Sequence, residues 1–390
     1  MQRVIKYILL YLLIVGSLVQ AGFHPVQETG DDNSPRGFGY SLDTATYIDE
    51  NGLGFWEEHT AIGSPFEEGG NGAVYIYTRK ANENAEWKLF QKIEMPLLAI
   101  GSGTWKFKEF GWDVALPQNL AKSKLIIGAP NTIYERMVNG TLLTNEFDAV
   151  MVYQYNKNTG KFELETFFPE EDNSGAGRDV DAAADNWATG NESYMAVSGL
   201  PGKDEVKIYT EDNSGDWTTT TLSGKKGSRF GQSVSMRWMT MPHEPLLIGA
   251  PDENITWKMV TYQERGAAYV YYLKGDADTG YSWDGPDQLI QPIPEPQVGQ
   301  TINQHTHFGT KVDIGFGSKK RIAVSATSQS VSDASNVEHL YEAYAYEYDD
   351  GLKEWSQIGN ATEVDLGAKS LHFFTISMQE NLSIFWAKIS

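Results

Sequence analysis

The chain has 390 residues with a formal charge of −21, no cysteine and a hydrophobic share of 41%. The absence of cysteine excludes disulfides and thiolate metal sites. The acidic balance argues against nucleic acid as a partner, because acidic surfaces repel phosphate backbones. The hydrophobic share predicts a packed core, while the 38 glycines and the 12% share of aromatic residues favour strands and tight turns over helices.

Residues 1–21 have the pattern of a secretory signal peptide. Arg3 and Lys6 give a basic start, a nearly unbroken apolar run follows, and Ala21 is a small residue at the expected cleavage point. The apolar run is shorter than the roughly 20 residues that a membrane-spanning helix needs. We therefore predict a signal peptide at 1–21, a polar N-terminal arm at 22–37, a secreted or extracellular product, and no membrane span.

From residue 38 onwards, three short phrases recur in a fixed order. Each unit opens on Phe-Gly or a worn form of it, continues to an apolar strand closed by Gly-Ala-Pro, and then reaches a Tyr-rich strand. A strand that carries tryptophan in most units follows a polar turn and brings the count to four strands. The openings stand at Phe38, Phe110, Ala176, Phe230, Phe308 and Leu366. The recurrence predicts an array of similar units.

The central strands of each unit carry apolar residues on both faces. Leu246, Leu247 and Ile248 form an unbroken apolar run, which is typical of a strand covered on both sides. A spacing of roughly 55–80 residues between openings exceeds the roughly 20–45 residues of linear solenoid repeats. Sheets stacked around an axis cover both faces of every unit. We predict an all-β β-propeller of about six to seven four-stranded blades, the last completed by the N-terminal arm.

The phrases Phe-Gly-x-Ser-Val, Ile-Gly-Ala-Pro and Gly-Ala-Val-Tyr-Ile-Tyr resemble the FG-GAP repeat of the integrin α-subunit head. The resemblance covers residues 38–390 and is closest in the units opened by Phe38, Phe110 and Phe230. It implies a β-propeller of four-stranded blades, typically seven in the integrin head, that serves extracellular recognition.

FG-GAP repeats often hold a calcium loop before the Gly-Ala-Pro strand, in which alternate carboxylates supply the oxygen ligands of the ion. In this chain the corresponding places are largely apolar or basic. A weak remnant of such a loop is confined to Asp185, Thr189 and Ser193 in the third unit. We predict no metal and no cofactor, with calcium the ion that the resemblance leaves possible.

Other groups that could carry chemistry are weaker. His305 and His307 would lie on one side of a strand and could bind zinc, but no third ligand is evident, so we interpret them as loop histidines. Asp179 and Asp181 share a strand face, and we interpret them as solvated surface. The sequence contains no nucleophile elbow and no phosphate-binding loop. We therefore predict no catalytic residue and a protein that is not an enzyme.

Five Asn-x-Ser/Thr triplets lack proline at the middle place and are candidates for N-glycosylation. They begin at Asn139, Asn191, Asn254, Asn360 and Asn381. Together with the signal peptide, they predict a glycoprotein whose modified asparagines lie on exposed loops.

The predicted function is binding or cell adhesion by an integrin-α-like propeller that is secreted or held at the cell surface. Loops at 67–71, 132–145, 256–265 and 328–339 would contact the partner, an extracellular protein or a glycan. Two alternatives stay open. The chain could be a secreted propeller enzyme of the glycosidase or lyase type, with carboxylates that converge at the propeller axis, or a fragment of a larger adhesion receptor.

Overall fold

The structure is a computed structural model. It describes residues 37–48, 56–80, 86–100, 102–117, 124–185, 193–212, 214–236, 245–276, 280–289, 306–316, 320–333, 336–349, 351–358 and 362–365. Within these ranges the regular structure is β-strand apart from one 3₁₀ turn at Glu67–Gly69, and no helix is long and apolar enough to cross a membrane. The signal peptide, the arm up to residue 36 and the unit opened by Leu366 lie outside the described residues and stay predictions.

The strands of the first two sheets come from the first half of the chain. In chain order they are β1 (Ser41–Ile48), β2 (Trp56–Ser64), β3 (Ala73–Lys80), β4 (Lys88–Glu94), β5 (Leu97–Ile100), β6 (Gly103–Lys106), β7 (Val114–Ala115), β8 (Lys124–Val138), β9 (Thr141–Asn156) and β10 (Lys161–Glu171). The first sheet has the order β1-β2-β3-β4. The second has the order β10-β9-β8-β6-β5, and β7 also pairs with β8.

Three further sheets follow. Their strands are β11 (Val180–Asp185), β12 (Ser193–Leu200), β13 (Glu205–Glu211), β14 (Trp217–Ser223), β15 (Val234–Met236), β16 (Pro245–Ala250), β17 (Ile255–Trp257), β18 (Val260–Tyr262), β19 (Ala267–Asp276), β20 (Gly280–Leu289), β21 (Val312–Phe316), β22 (Lys320–Asp333), β23 (Asn336–Asp349), β24 (Glu354–Gln357) and β25 (Thr362–Asp365). The sheet orders are β11-β12-β13-β14, β15-β16-β19-β20 and β21-β22-β23-β24. The pair β17–β18 is a separate hairpin, and β25 pairs with β23.

Consecutive antiparallel strands in the order first to fourth are the strand order of a propeller blade. The predicted fold class, an all-β propeller with four-stranded blades, is therefore confirmed. The chain divides into two compact units. The first consists of Met1–Asn145 with Val152–Thr166, and the second of Glu146–Met151 with Phe167–Ser390.

Apolar residues pack between neighbouring sheets of the second unit. Leu246 and Ile248 of β16 belong to a buried cluster with residues of β11, β12 and β13. Leu247, between them, belongs to a second cluster with residues of β21, β22 and β23. The unbroken apolar run of β16 therefore faces a sheet on each side, as the sequence predicted.

The Phe-Gly and Gly-Ala-Pro phrases meet where one sheet contacts the next. A Cβ on Gly249 would lie 1.9 Å from the carbonyl oxygen of Gly309, which opens the following sheet with a φ of +98°. The same contact recurs between Gly199 and Gly231, where the distance would be 1.8 Å. Neither glycine of a pair has room for a side chain, because backbone lies directly against backbone. The recurring phrases are thus the two halves of a joint between sheets.

The phenylalanine of the opening at Phe308 completes this joint. The Phe308 N–H donates to the carbonyl oxygen of Arg265 at 3.0 Å, and Phe308 forms a parallel bridge with Gly266 of the preceding sheet. Its ring is buried and meets Tyr344 of its own sheet edge to face, with ring centroids 5.5 Å apart. The opening residue therefore links two sheets by backbone and fills the core by its side chain.

Two of the predicted variable loops are strand hairpins in the structure. Residues 132–145 and 328–339 were expected as loops, but they continue the flanking strands as long hairpins, β8–β9 and β22–β23. An additional hairpin, β5–β6, extends the second sheet beside β8. Residues 132–138, 141–145, 328–333 and 336–339 contain no glycine or proline, so strand pairing extends outward from the core.

Candidate functional site

The first strand of each sheet in the second unit lies against the first strand of the next. These strands are β11, β15 and β21, and they contact each other in that order. No ladder pairs them with one another, so the N–H groups on their facing edges need acceptors from side chains. We call the polar side chains of these three strands and of the residues immediately before them the inner-strand cluster. It comprises Asp179, Asp181, Ser233, Ser235, Lys311 and Asp313.

The fifth residue after each opening links one inner strand to the next. Asp181 accepts the N–H of Met236 at 2.7 Å, and Ser235 accepts the N–H of Ile314 at 3.3 Å. In the first unit, Asp43 occupies the same place in the repeat. It accepts the N–H of Leu116, the residue after β7, at 2.7 Å. A carboxylate or hydroxyl at this place therefore satisfies a buried backbone donor of the neighbouring blade.

The third residues after the openings at Ala176 and Phe308 form an ion pair with each other. The Lys311 ammonium lies 2.7 Å from Oδ2 of Asp179, although the two residues belong to the third and first of three successive sheets. Between them in the repeat, Ser233 accepts the N–H of Val312 at 3.2 Å. The side chain of Asp179 is 10% exposed and that of Lys311 39%, so the buried carboxylate has a partly solvated counter-charge.

Two carboxylates flank the strand that lies between them. Asp181 is hydrogen-bonded to the N–H of Met236, and Ser235 donates its hydroxyl to Oδ1 of Asp313 at 3.3 Å. Four covalent bonds separate the Met236 nitrogen from the Ser235 hydroxyl oxygen. With the two hydrogen bonds added, Oδ2 of Asp181 and Oδ1 of Asp313 are at most about 11 Å apart. Both aspartates are partly exposed, so solvent reaches them.

The interpretation as solvated surface was wrong for Asp179, whereas Asp181 is partly exposed but held by backbone donors. Asp179 is buried and ion-paired, and Asp181 accepts hydrogen bonds from the N–H groups of Ala182 and Met236, both at 2.7 Å. Spacing along one strand shows that two carboxylates share a face, but not what lies opposite. The partner Lys311 is 132 residues away, and the recurrence of polar residues at fixed places after each opening was the signal that could have located it.

The predicted remnant of a calcium loop falls at the end of one hairpin. Asp185 and Ser193 form the last backbone pair of β11 and β12, and Thr189 lies outside the described residues. Among the residues that the structure describes, no group of three or more His, Asp or Glu side chains could hold a metal ion.

His307 contacts two acidic side chains just before the last described opening. Its Nδ1 lies 3.0 Å from Oδ1 of Asp252, and its Nε2 lies 3.9 Å from Glu264. The hydrogen bond to Asp252 raises the pKa of His307, although burial and the nearby Arg229 act in the opposite direction. His305, its partner in the zinc hypothesis, lies outside the described residues.

The contact between His307 and Asp252 predicts a pH-dependent stability. Because the pKa of the folded state is raised, the contribution is fully present below the unfolded pKa of about 6.5 and is lost as the pH rises through the folded value. Urea unfolding of the wild type and His307→Gln between about pH 5.5 and pH 8.5 measures it. The stability advantage of the wild type should shrink towards high pH. An advantage that stays constant would contradict the assignment.

Two of the five predicted glycosylation sites lie in described segments. Asn139 is exposed in the turn between β8 and β9, and Asn254 is exposed shortly before β17. The Oδ1 atom of Asn254 accepts the N–H of Glu264 at 2.9 Å. Asn191, Asn360 and Asn381 lie outside the described residues.

No family model matches the chain, and no curated protein matches it. A solved structure of a thermostable family-43 glycoside hydrolase matches 86% of this chain and 97% of its own length, with 12% identity and a TM-score of 0.33. An α-L-arabinanase of Penicillium chrysogenum, complexed with arabinobiose, matches 83% of this chain and 93% of its own length, with 8% identity and a TM-score of 0.36.

A third solved structure is a family-43 glycoside hydrolase engineered to display both endo-xylanase and exo-arabinofuranosidase activity. It matches 88% of this chain and 58% of its own length, with 9% identity and a TM-score of 0.32. At these identities the likeness is one of fold. The prediction that the chain is not an enzyme is contradicted by these comparisons, since the matched structures are glycoside hydrolases. Membership of the FG-GAP family stays a prediction.

Proposed function

We propose that the chain is a carbohydrate-active β-propeller that hydrolyses glycosidic bonds at the inner-strand cluster of its second unit. The observation that carries the proposal is the placement of Asp181 and Asp313 on either side of Ser235, partly exposed and no more than about 11 Å apart. Glycosidases use two carboxyl groups that flank the scissile bond, separated by roughly 6.5–9.5 Å when water attacks directly. The limit set by the hydrogen bonds includes that range.

Asp181 suits the role of the general base. Two backbone N–H groups, those of Ala182 and Met236, donate to its two oxygens at 2.7 Å. Donors of this kind hold a charged carboxylate in a fixed position. A fixed, charged and solvent-accessible carboxylate can take a proton from a water molecule.

Asp313 suits the role of the general acid. One of its oxygens, Oδ1, accepts the hydroxyl of Ser235 at 3.3 Å. A hydroxyl can donate to a charged carboxylate or accept from a protonated one, so it supports both states of a group that must gain and lose a proton. The ion pair of Lys311 with Asp179 adds a partly solvated positive charge to the same cluster.

With Asp181 as general base and Asp313 as general acid, the reaction is a single displacement. The carboxyl group of Asp313 donates its proton to the glycosidic oxygen as the bond between that oxygen and the anomeric carbon breaks. A water molecule forms the new bond to the anomeric carbon and gives a proton to Asp181. The products are two sugar hydroxyls, and the proton gained by Asp181 returns through solvent to Asp313.

The test is sugar release from a panel of neutral and acidic polysaccharides by the purified mature chain. We expect the wild type to release reducing ends from at least one member of the panel, and Asp181→Asn and Asp313→Asn to lose at least about 100-fold in rate. Folding of each variant is checked by urea unfolding, because Asp181 also links two strands. A wild type that hydrolyses nothing, or variants that retain its rate, would refute the proposal.

A second candidate function is binding of an extracellular macromolecule through the hairpins that join the second and third strands. The turn of the β17–β18 hairpin exposes Met259 almost completely, at 98%, with Val260 beside it. Lys258 and Met259 both have positive φ, at 46° and 65°, so the turn holds an uncommon backbone conformation to present these side chains. Exposed apolar residues on such turns often mark protein contacts.

One variant distinguishes the proposed hydrolysis from the second candidate function, binding. Met259→Ser removes the apolar tip of the hairpin without touching the inner-strand cluster. Under the primary proposal, its rate of sugar release equals that of the wild type. Under the second candidate, the wild type binds a panel member or an extracellular protein without hydrolysis, and Met259→Ser loses that binding.

A further inference from the structure

The turn between β8 and β9 presents an asparagine at the tip of a long hairpin. β8 ends at Val138 and β9 begins at Thr141, so the connection consists of Asn139 and Gly140 alone. Their φ angles are +51° and +82°, as in the two-residue turns that fit the twist of a hairpin. All residues from 136 to 146 are exposed, which leaves the amide of Asn139 accessible.

This hairpin tip carries a patch of apolar surface on both strands. Met137 and Val138 precede the turn and Leu142 and Leu143 follow it, with Met137 60% exposed and Leu142 55% exposed. The neighbouring strand β6 pairs with β8 only as far as Arg136, so the last part of the hairpin extends beyond the sheet. A two-stranded hairpin with contiguous exposed apolar residues is marginally stable and prone to association.

The residues at the tip form the acceptor triplet Asn139-Gly140-Thr141 in the middle of this apolar patch. We propose that Asn139 carries an N-linked glycan and that this glycan covers the apolar tip formed by Met137, Val138, Leu142 and Leu143. The group that covers the apolar side chains is thus covalently attached to the chain itself. Because successive strand residues face opposite sides, Met137 and Leu142 lie on one face of the hairpin and Val138 and Leu143 on the other. A glycan on the turn borders both faces.

The modification is a group transfer from a lipid-linked oligosaccharide pyrophosphate, catalysed by the oligosaccharyltransferase of the secretory pathway. The amide nitrogen of Asn139 forms a bond to the anomeric carbon of the first sugar and loses one proton. The bond between that carbon and the pyrophosphate oxygen breaks, and the lipid pyrophosphate leaves with the electron pair. The glycan then adds polar, hydrated surface beside the hairpin.

Asn254 provides a contrast within the same chain. Its side chain accepts the N–H of Glu264 at 2.9 Å and so helps to hold the base of the β17–β18 hairpin. No hydrogen bond of the Asn139 side chain is recorded among the described residues, and its turn needs only the αL conformation that asparagine tolerates. Loss of the glycan at Asn139 should therefore affect surface properties and leave the fold intact.

The experiment expresses the full chain in a secretory cell that glycosylates its products. Peptides are mapped by mass spectrometry after an amidase has converted glycosylated asparagine to aspartate. We expect conversion at Asn139 in the wild type and in Thr141→Ser, which keeps the triplet, and complete loss of conversion in Thr141→Val. The unmodified Thr141→Val chain should bind a fluorescent apolar dye at least about twofold more strongly and self-associate at lower concentration.

A third variant tests the covering role by itself. Adding threonine substitutions at all four apolar positions, Met137, Val138, Leu142 and Leu143, to Thr141→Val should return dye binding to the wild-type level, because the apolar tip is then removed. Asn139 unmodified in the wild type would overturn the proposal, whether or not the other triplets are occupied. An occupied Asn139 whose loss leaves dye binding and association unchanged would overturn the covering role.

Discussion

Gly249→Ala is expected to destabilise the second unit by roughly 3 kcal/mol or more. The added Cβ would lie 1.9 Å from the carbonyl oxygen of Gly309 and 2.9 Å from its carbonyl carbon. Both are backbone atoms of the next sheet, and they cannot move aside as a flexible side chain could. The joint between the two sheets would have to open, which separates the apolar clusters that they share.

Gly227→Ala is the matched control for this prediction. Gly227 has a φ of +77°, but no atom lies within 4 Å of the position that a Cβ would occupy. Its replacement therefore costs only the conformational strain of about 1–2 kcal/mol. Urea unfolding of both variants compares the cost of a clash with backbone atoms, in Gly249→Ala, with the cost of backbone strain alone, in Gly227→Ala. Equal urea midpoints for Gly249→Ala and Gly227→Ala would show that the close contact between Gly249 and Gly309 does not determine stability.

Glu67→Ala is expected to cost about 3–5 kcal/mol, because it removes the centre of a buried charged network. Tyr75 donates its hydroxyl to both carboxylate oxygens of Glu67 at 2.9 Å, and the Lys92 ammonium lies 2.7 Å from Oε1. Burial and the hydrogen bond to Glu67 raise the pKa of Tyr75. Burial opposes the charge of Lys92, but the hydrogen bond and charge of Glu67 outweigh it and raise the pKa of Lys92.

The adjacent residue, Glu68, supplies the control. Its side chain is 48% exposed and lies 3.5 Å from the same lysine, whereas that of Glu67 is 5% exposed. Exposed ion pairs contribute about 1 kcal/mol at most, so Glu68→Ala should change the unfolding midpoint little. If Glu67→Ala and Glu68→Ala lower the urea midpoint equally, burial of Glu67 does not strengthen its contacts with Tyr75 and Lys92. Glu253 holds the same place after its Gly-Ala-Pro phrase and accepts hydrogen bonds from Tyr269 and Gln288.

The propeller class could be predicted from the sequence because the signals are local. The run Leu246 to Ile248 shows by its pattern that both faces of β16 are covered, and the structure places a sheet on each. The Gly-Ala-Pro and Phe-Gly phrases recur visibly in the sequence, although only the structure shows that Gly249 meets Gly309. Local patterns were enough to predict the blades and not enough to predict how one blade joins the next.

The candidate site could not be predicted in the same way. Asp179 and Asp181 come from one unit of the repeat and Lys311 and Asp313 from another, and no contiguous motif connects them. The sequence therefore contains no short catalytic motif. The prediction of a protein that is not an enzyme, which the comparisons contradict, rested on that absence. What the sequence did contain was a polar residue at the third and fifth places after most openings, whose convergence depends on sheet packing.

The most direct measurement compares the rate of sugar release by Asp313→Asn with that of Asp204→Asn at equal folded fraction. Asp204 accepts two backbone N–H groups, at 2.6 and 2.7 Å, but lies in the turn between β12 and β13 and outside the inner-strand cluster. If the inner-strand carboxylates perform the hydrolysis, Asp313→Asn loses at least about 100-fold while Asp204→Asn keeps the wild-type rate. Equal rates in the two variants would contradict the proposed site.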